Sequence, residues 1–287
     1  MHERIVLLGG YGQLGNLIQE TQPADIKLYA FNSTDFDICN LDQHKLVYKD
    51  LAPTTIINAS AYTQVDQAET EQERAFEVNA HGPALLAEAS PKDCRIIHFS
   101  TDFVFDGEKQ TPYKPNDITA PVSIYGASKL AGEEKLITLR PDSTIIRTAW
   151  LYSAESKNFM NTMLMLMAER EELAIVNDQF GTPTSAAGLA GALWRFVANR
   201  DLKGIYHWTD QGEASWYDFA IEIQKQACKL GLLNKKIPLR GISTSDYPTP
   251  AQRPKNSVLD KSATYDAINF KGQAWQKELT KVLISKL

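Results

Sequence analysis

The sequence predicts an α/β fold: a doubly wound parallel sheet with a smaller C-terminal lobe. Three observations predict it. Short apolar runs recur through the first half, helical patterns separate them, and a glycine-rich turn joins the first run to the first helix. The runs occupy 5–8, 26–31, 54–57, 95–99 and 144–146, each with the length and apolar continuity of a strand buried on both faces. Helical patterns over 13–21, 75–89 and 123–139 lie between them. Alternating strand and helix implies parallel pairing, with helices covering both sides of the sheet. After Trp150 the rhythm turns irregular: a Met-rich helix over 159–169, a strand over 173–176, a loop over 177–184, a helix to about 198, a strand over 205–208 and a helix over 215–230. The chain thus divides into residues 1–150 and a lobe over 151–287 that is partly interleaved with the first.

The turn after the first strand reads Gly9-Gly10-Tyr11-Gly12-Gln13-Leu14-Gly15 and opens a helix. Glycines in that place let backbone amides approach a pyrophosphate at the positive end of the helix, and let the helix pack closely on the sheet. This makes residues 1–150 a Rossmann-type NAD(P)-binding domain, with Gly9, Gly12, Gln13, Leu14 and Gly15 at the cofactor. The end of the second strand, where a carboxylate would hold the ribose 2'-hydroxyl, carries Ala30-Phe31-Asn32-Ser33. Without that acid a 2'-phosphate meets no repulsion, which favours NADP(H), with NAD(H) use left open.

Net charge is -5, with no one-sided basic cluster, so neither nucleic acid nor an anionic membrane surface is an expected partner. No apolar run reaches the length of a membrane span, and the opening residues lack a signal-peptide pattern, which reads as cytoplasmic. The three cysteines, Cys39, Cys94 and Cys228, are far apart and read as reduced, buried thiols. The five histidines never fall at metal-ligand spacing, so no metal is expected, and His98 reads as a hydrogen-bonded core residue. Met160, Met163, Met165 and Met167 read as core or subunit-interface packing. A homodimer is one option left open.

Of the eleven tyrosines, Tyr125 alone has a lysine four residues on, Lys129. On a helix that spacing puts both on one face, where a cation beside a phenol favours its ionisation. The strand before it runs out into Ser100-Thr101-Asp102 at the carboxyl edge of the sheet, where such folds bind ligands. Thr101 to hold a substrate oxygen, Tyr125 to protonate it and Lys129 to assist form a complete proton-delivery set for hydride chemistry.

The residues then resemble the extended short-chain dehydrogenase/reductase family, and within it the dTDP-4-dehydrorhamnose reductases. The likeness is carried by Gly12-Gln13-Leu14-Gly15, Asp37-Ile38, Ala61-Tyr62-Thr63, Ser100 to Phe105 and Tyr125 to Glu133. It continues through Arg147 to Trp150, Asn177 to Thr184 and Ala251-Gln252-Arg253-Pro254. The resemblance implies that Asp37 and Ile38 contact the adenine end, that Ala61, Tyr62 and Thr63 line the cofactor, and that Lys129 bonds the nicotinamide ribose. It further implies that Thr101, Asp102, Trp150 and Arg253 hold a nucleotide sugar. The implied reaction is NAD(P)H-dependent reduction of the C4 keto group of dTDP-4-dehydro-L-rhamnose. Phe103 stands where the sister 4,6-dehydratases carry a glutamate, which argues against elimination chemistry. Two alternatives share the pattern: a non-catalytic regulatory subunit of the methionine adenosyltransferase type, and a reductase of another 4-keto-6-deoxy nucleotide sugar.

Overall fold

The computed structural model describes residues 3–287. Six parallel strands form the central sheet: β1 Arg4–Leu8, β2 Lys27–Phe31, β3 Thr55–Asn58, β4 Arg95–Thr101, β5 Thr144–Thr148 and β6 Gly204–His207. They lie in the spatial order β6-β5-β4-β3-β1-β2, so the strand order reverses between β1 and β3. A crevice opens beyond the carboxyl ends of the strands at such a reversal. Register fixes what lines it: Leu8 is opposite Asn58, Asn58 opposite His98, and Thr101 opposite Thr148.

Why apolar residues fill both faces of the strands follows from the layers. Ile5, Leu7, Ile57, Ile97 and Ile146 pack against the helices Gln13–Glu20 and Ala186–Ala198, while Val6, Leu8, Ile56, Ile96 and Ile145 pack on the other side with Tyr48, Leu86 and Leu136. Successive residues point to opposite faces, and both faces are covered.

The segment 205–208, read above with the second lobe, supplies β6, which pairs with β5 at the edge of the main sheet. Its parallel pairing is long-range and leaves no local mark. The expected helix over 75–89 is broken into Gln72–Phe76, a π-helical turn Glu77–His81 and Gly82–Ala89. A helix over Leu41–Leu51 also forms, capped by the Asn40 side chain, which accepts from the backbone N–H groups of Asp42 and Gln43.

The second lobe has its own core, in which Met160, Met163 and Met167 pack with Phe219, Ile223, Trp275 and Leu279. Met165 faces outward at 53% exposure. All three cysteines are free thiols, but only Cys94 is fully buried; Cys39 and Cys228 sit half-buried at the margins of the cores.

Candidate active site

The glycine turn is shaped by contacts that exclude side chains. Gly9 has φ of +76°, and a Cβ there would stand 2.6 Å from the Ser60 nitrogen. A Cβ on Gly15 would fall 2.2 Å from the Gly9 carbonyl oxygen, so only glycine lets the helix Gln13–Glu20 start this close to β1. Gln13 reaches out of the turn to the second lobe, donating to the Leu151 carbonyl at 3.0 Å and accepting from Asn158 at 2.8 Å. Leu14 is buried beneath it. At the end of β2, Asn32 accepts from Thr34 N and Asp35 N at 2.8 and 2.9 Å, closing a turn with a neutral side chain. Asp37 caps the next turn through Cys39 N, and Ile38 is buried against Gly82. Ala61, Tyr62 and Thr63 follow β3. They are stitched down by Asn79, which accepts from Tyr62 N at 2.9 Å and donates to Tyr62 O at 3.0 Å.

β4 delivers Thr101 and Asp102 to the crevice, both buried. Thr101 Oγ1 donates to Asp102 Oδ1 at 3.1 Å and accepts from Phe103 N at 3.2 Å, capping a 3-10 turn over Asp102–Val104. Asp102 Oδ2 is buried with no partner. Burial pushes the Asp102 carboxyl up to about 6, against the pull of hydroxyls on Ser257 and Thr101.

The helix Ile124–Leu139 carries Tyr125 and Lys129, and its glycines seat it. A Cβ on Gly126 would meet the Phe103 carbonyl oxygen at 2.2 Å, and one on Gly132 would meet the Asn79 carbonyl oxygen at 2.0 Å. Ser123 caps its start, and Ser128 accepts from Asn79 at 3.0 Å. From β5, Arg147 grips Glu133 with bonds of 2.6 and 3.0 Å, both side chains 2% exposed. The Tyr125 ring meets Phe103 edge-to-face with centroids 5.5 Å apart, and the Thr101 hydroxyl is among the groups that act on its phenol.

The electrostatics differ from the sequence expectation that Lys129 makes Tyr125 more acidic. Burial, reinforced by the Asp102 carboxylate, pushes the Tyr125 phenol up to about 12, with the Thr101 hydroxyl pulling it down only in part. Burial also pushes Lys129 down to about 8. Its Nζ donates to the Phe99 carbonyl at 2.7 Å and lies 3.4 Å from His98 Nε2. Desolvation is the largest cause of both shifts, and the lysine charge that helical spacing suggested is not among the groups acting on the phenol. A phenol of this kind is fully protonated at neutral pH, the state a proton donor needs.

Trp150 has φ of +46°, which is strained for a bulky residue. Its ring stacks on Trp216 with centroids 3.4 Å apart and planes at 3°. A Cβ on Gly181 would come within 2.5 Å of it. Trp216 Nε1 donates to Gln179 Oε1 at 3.2 Å, and Gln179 donates to Thr244 at 3.1 Å. The loop over 177–184 is therefore the frame that fixes Trp150. Arg253 crosses from the second lobe to Asp66, donating to its two oxygens at 2.9 and 3.1 Å, and also binds Thr249 and Ala251 O. In this structure its guanidinium serves as a lobe-to-lobe ion pair.

Residues 3–286 match the family described as the RmlD substrate binding domain. This chain belongs to the RmlD family. Among RmlD-family relatives, the dTDP-4-dehydrorhamnose reductase of Aggregatibacter actinomycetemcomitans is 39% identical over 97% of this chain and 98% of its own. That of Escherichia coli K12 is 41% identical over 89% of each. A crystal structure of dTDP-4-dehydrorhamnose reductase from Bacillus anthracis, in complex with NADP, superposes with a TM-score of 0.93 at 36% identity, covering 99% of this chain and 100% of that one.

Within this RmlD-family fold, Thr101 ends β4, Asp102 opens the 3-10 turn that follows, and Tyr125 and Lys129 lie on the helix Ile124–Leu139 between β4 and β5, so that all four converge at the carboxyl end of β4. Sequence reasoning did not single out Asn79, Glu133 with Arg147, Gln179 or Trp216 as a supporting frame. What marks them in the structure is burial of a polar side chain within a helix or strand, as at Asn79 and Arg147.

Proposed function

We propose that this chain is an NAD(P)H-dependent oxidoreductase that reduces the C4 keto group of dTDP-4-dehydro-L-rhamnose to dTDP-L-rhamnose, a precursor for cell-surface polysaccharide. The observation that carries the reading is the buried Thr101 and Asp102 pair beside Tyr125 and Lys129, at the open end of a sheet whose glycine turn excludes side chains. Relatives named for this reaction support it along almost the whole chain.

The Gly9 to Gly15 turn fits a dinucleotide pyrophosphate: the start of the helix Gln13–Glu20 has no side-chain cap, and any Cβ at Gly9 or Gly15 would collide with backbone. Asn32 offers no carboxylate to repel a 2'-phosphate, so NADP(H) is the favoured form and NAD(H) the second. The bound nicotinamide supplies the hydride. Asp37 and Ile38 bound the adenine end, and Ala61, Tyr62 and Thr63 line the path onward. Tyr125 gives its proton to the C4 oxygen, Thr101 holds that oxygen in line, and Lys129 bonds the ribose. Trp150 offers its ring to the sugar, and Arg253 holds the nucleotide end once it leaves Asp66. The unpartnered Asp102 Oδ2 accepts from a sugar hydroxyl. No helix among the described residues is long and apolar enough to cross a membrane.

The test is oxidation of NADPH and NADH against a panel of 4-keto nucleotide sugars, with product stereochemistry read by NMR. Expected is turnover of dTDP-4-dehydro-L-rhamnose to the rhamno product. Tight co-purification with a synthetase and no oxidation would instead make the chain a regulatory subunit.

Asp102 adds a pH dependence. Because its carboxyl is raised to about 6, the accepting carboxylate is lost as pH falls through that value. KM is expected to rise roughly tenfold from pH 7 to pH 5, as the ionised fraction falls. In Asp102→Asn, KM should be higher at pH 7 and flat across the same range. A wild-type KM that does not change between pH 7 and 5 would remove Asp102 from the sugar site.

A further inference from the structure

Beneath Lys129 lies a buried chain of polar groups that the reduction as described does not use. Asn58 at the end of β3 and His98 in β4 are each 1% exposed, and Lys129 is 2% exposed. Asn58 Oδ1 accepts from Ser60 N at 3.1 Å and from Ser60 Oγ at 2.7 Å. Asn58 Nδ2 lies 3.0 Å from His98 Nδ1, and His98 Nε2 lies 3.4 Å from Lys129 Nζ.

Donor and acceptor chemistry orders these contacts. The Ser60 backbone N–H only donates, so the atom of Asn58 facing it is the carbonyl oxygen. That leaves the Asn58 amide NH2 facing His98, and NH2 only donates. His98 Nδ1 is then an acceptor, and a neutral imidazole with a bare Nδ1 carries its hydrogen on Nε2. The Nε2–H group points at Lys129 Nζ. An ammonium there sets two donors against one another, whereas a neutral amine has a lone pair to receive the bond.

We propose that Ser60 and Asn58 lock His98 as the Nε2–H tautomer, and that His98 is a positioning residue which favours proton release from Lys129 to Tyr125. The inference rests on Tyr125 being the proton donor, and it adds how the donor is recharged. Each reduction takes one proton from Tyr125 and leaves a phenolate. Lys129 returns one proton to that phenolate, its new lone pair takes the His98 N–H hydrogen bond, and one proton from water restores the ammonium. One proton is thus consumed per hydride.

The charged neighbours are consistent with this. Lys129 is held low by burial, with Glu133 pulling the other way from one turn along the same helix. Glu133 is itself neutralised by Arg147 from β5. His98 is kept neutral by burial and by Lys129. Asp102 acts on Tyr125, and Glu69 accepts from Ile124 N at 2.9 Å at the start of the helix.

Two measurements on the full chain test the proposal. In 15N-histidine-labelled protein, His98 should show a bare Nδ1 and a protonated Nε2; the opposite tautomer overturns it. In Asn58→Asp, a carboxylate accepts from both Ser60 N–H and His98 Nδ1–H, which turns a bare Nε2 toward the ammonium. The basic limb of the kcat profile should then move up by about one pH unit, with Kd for NADPH unchanged. His98→Leu, which removes the facing N–H, should move the same limb upward. Basic limbs at the wild-type position in both variants would overturn the proposal. Failure of the underlying reading looks different: Tyr125→Phe would then turn over normally whatever the His98 tautomer.

Discussion

Tyr125→Phe is expected to lower turnover by about 100-fold or more, the ordinary worth of a positioned general acid, while NADPH still binds. The substitution is clean. Phenylalanine keeps the edge-to-face contact with Phe103 at 5.5 Å and the seat of the helix on the Phe103 carbonyl, and only the hydroxyl is lost. Lys129 stays on the Phe99 carbonyl, and the glycine turn is remote from the change. Cofactor affinity measured by nucleotide fluorescence should therefore be close to that of the parent. Single-turnover oxidation of bound NADPH isolates the chemical step, and a rate within about tenfold of the parent would remove Tyr125 from the donor role. Because burial holds the phenol near 12, loss of activity on the alkaline side near pH 8 belongs to Lys129 and not to ionisation of Tyr125.

The largest effect on stability is expected at Arg147. Arg147→Ala leaves Glu133 buried without its cation, and also removes the bond to Pro115 O at 3.2 Å and the packing of the guanidinium over Phe105. Breaking a fully buried pair from one side costs about 3–5 kcal/mol. The midpoint of urea unfolding should fall accordingly. A double variant, Arg147→Met with Glu133→Leu, should recover much of that loss, because two apolar side chains leave no orphaned charge. A loss below about 1 kcal/mol in the single variant would mean that Glu133 gains water or a proton when Arg147 is removed. Since Glu133 lies one turn beyond Lys129, Arg147→Ala should also misplace the catalytic helix and lower turnover in the fraction that stays folded.

Much of the site was legible because its chemistry is local. The glycine spacing marks a turn in which Gly9 and Gly15 leave no room for a side chain, and Tyr125 with Lys129 shares a helix face by simple periodicity. Asn32 showed its lack of charge directly. What escaped depends on contacts between distant segments. Gly126 and Gly132 look like poor helix residues until the Phe103 and Asn79 carbonyls are seen against them. Trp216 carries no motif of its own, and Gln179 sits in a motif that does not announce its partner, yet together they hold Trp150 in a backbone conformation it would otherwise avoid.

By itself, the sequence determined the alternation of strand and helix, the glycine turn after the first strand and the placing of Tyr125 and Lys129 on one helix face, since each follows from residue type and short-range spacing. Only the tertiary structure decided the ionisation of Tyr125 and Lys129. Spacing sets which groups lie on one face, but burial sets the cost of charging them, and at both residues burial is the largest cause of the shift.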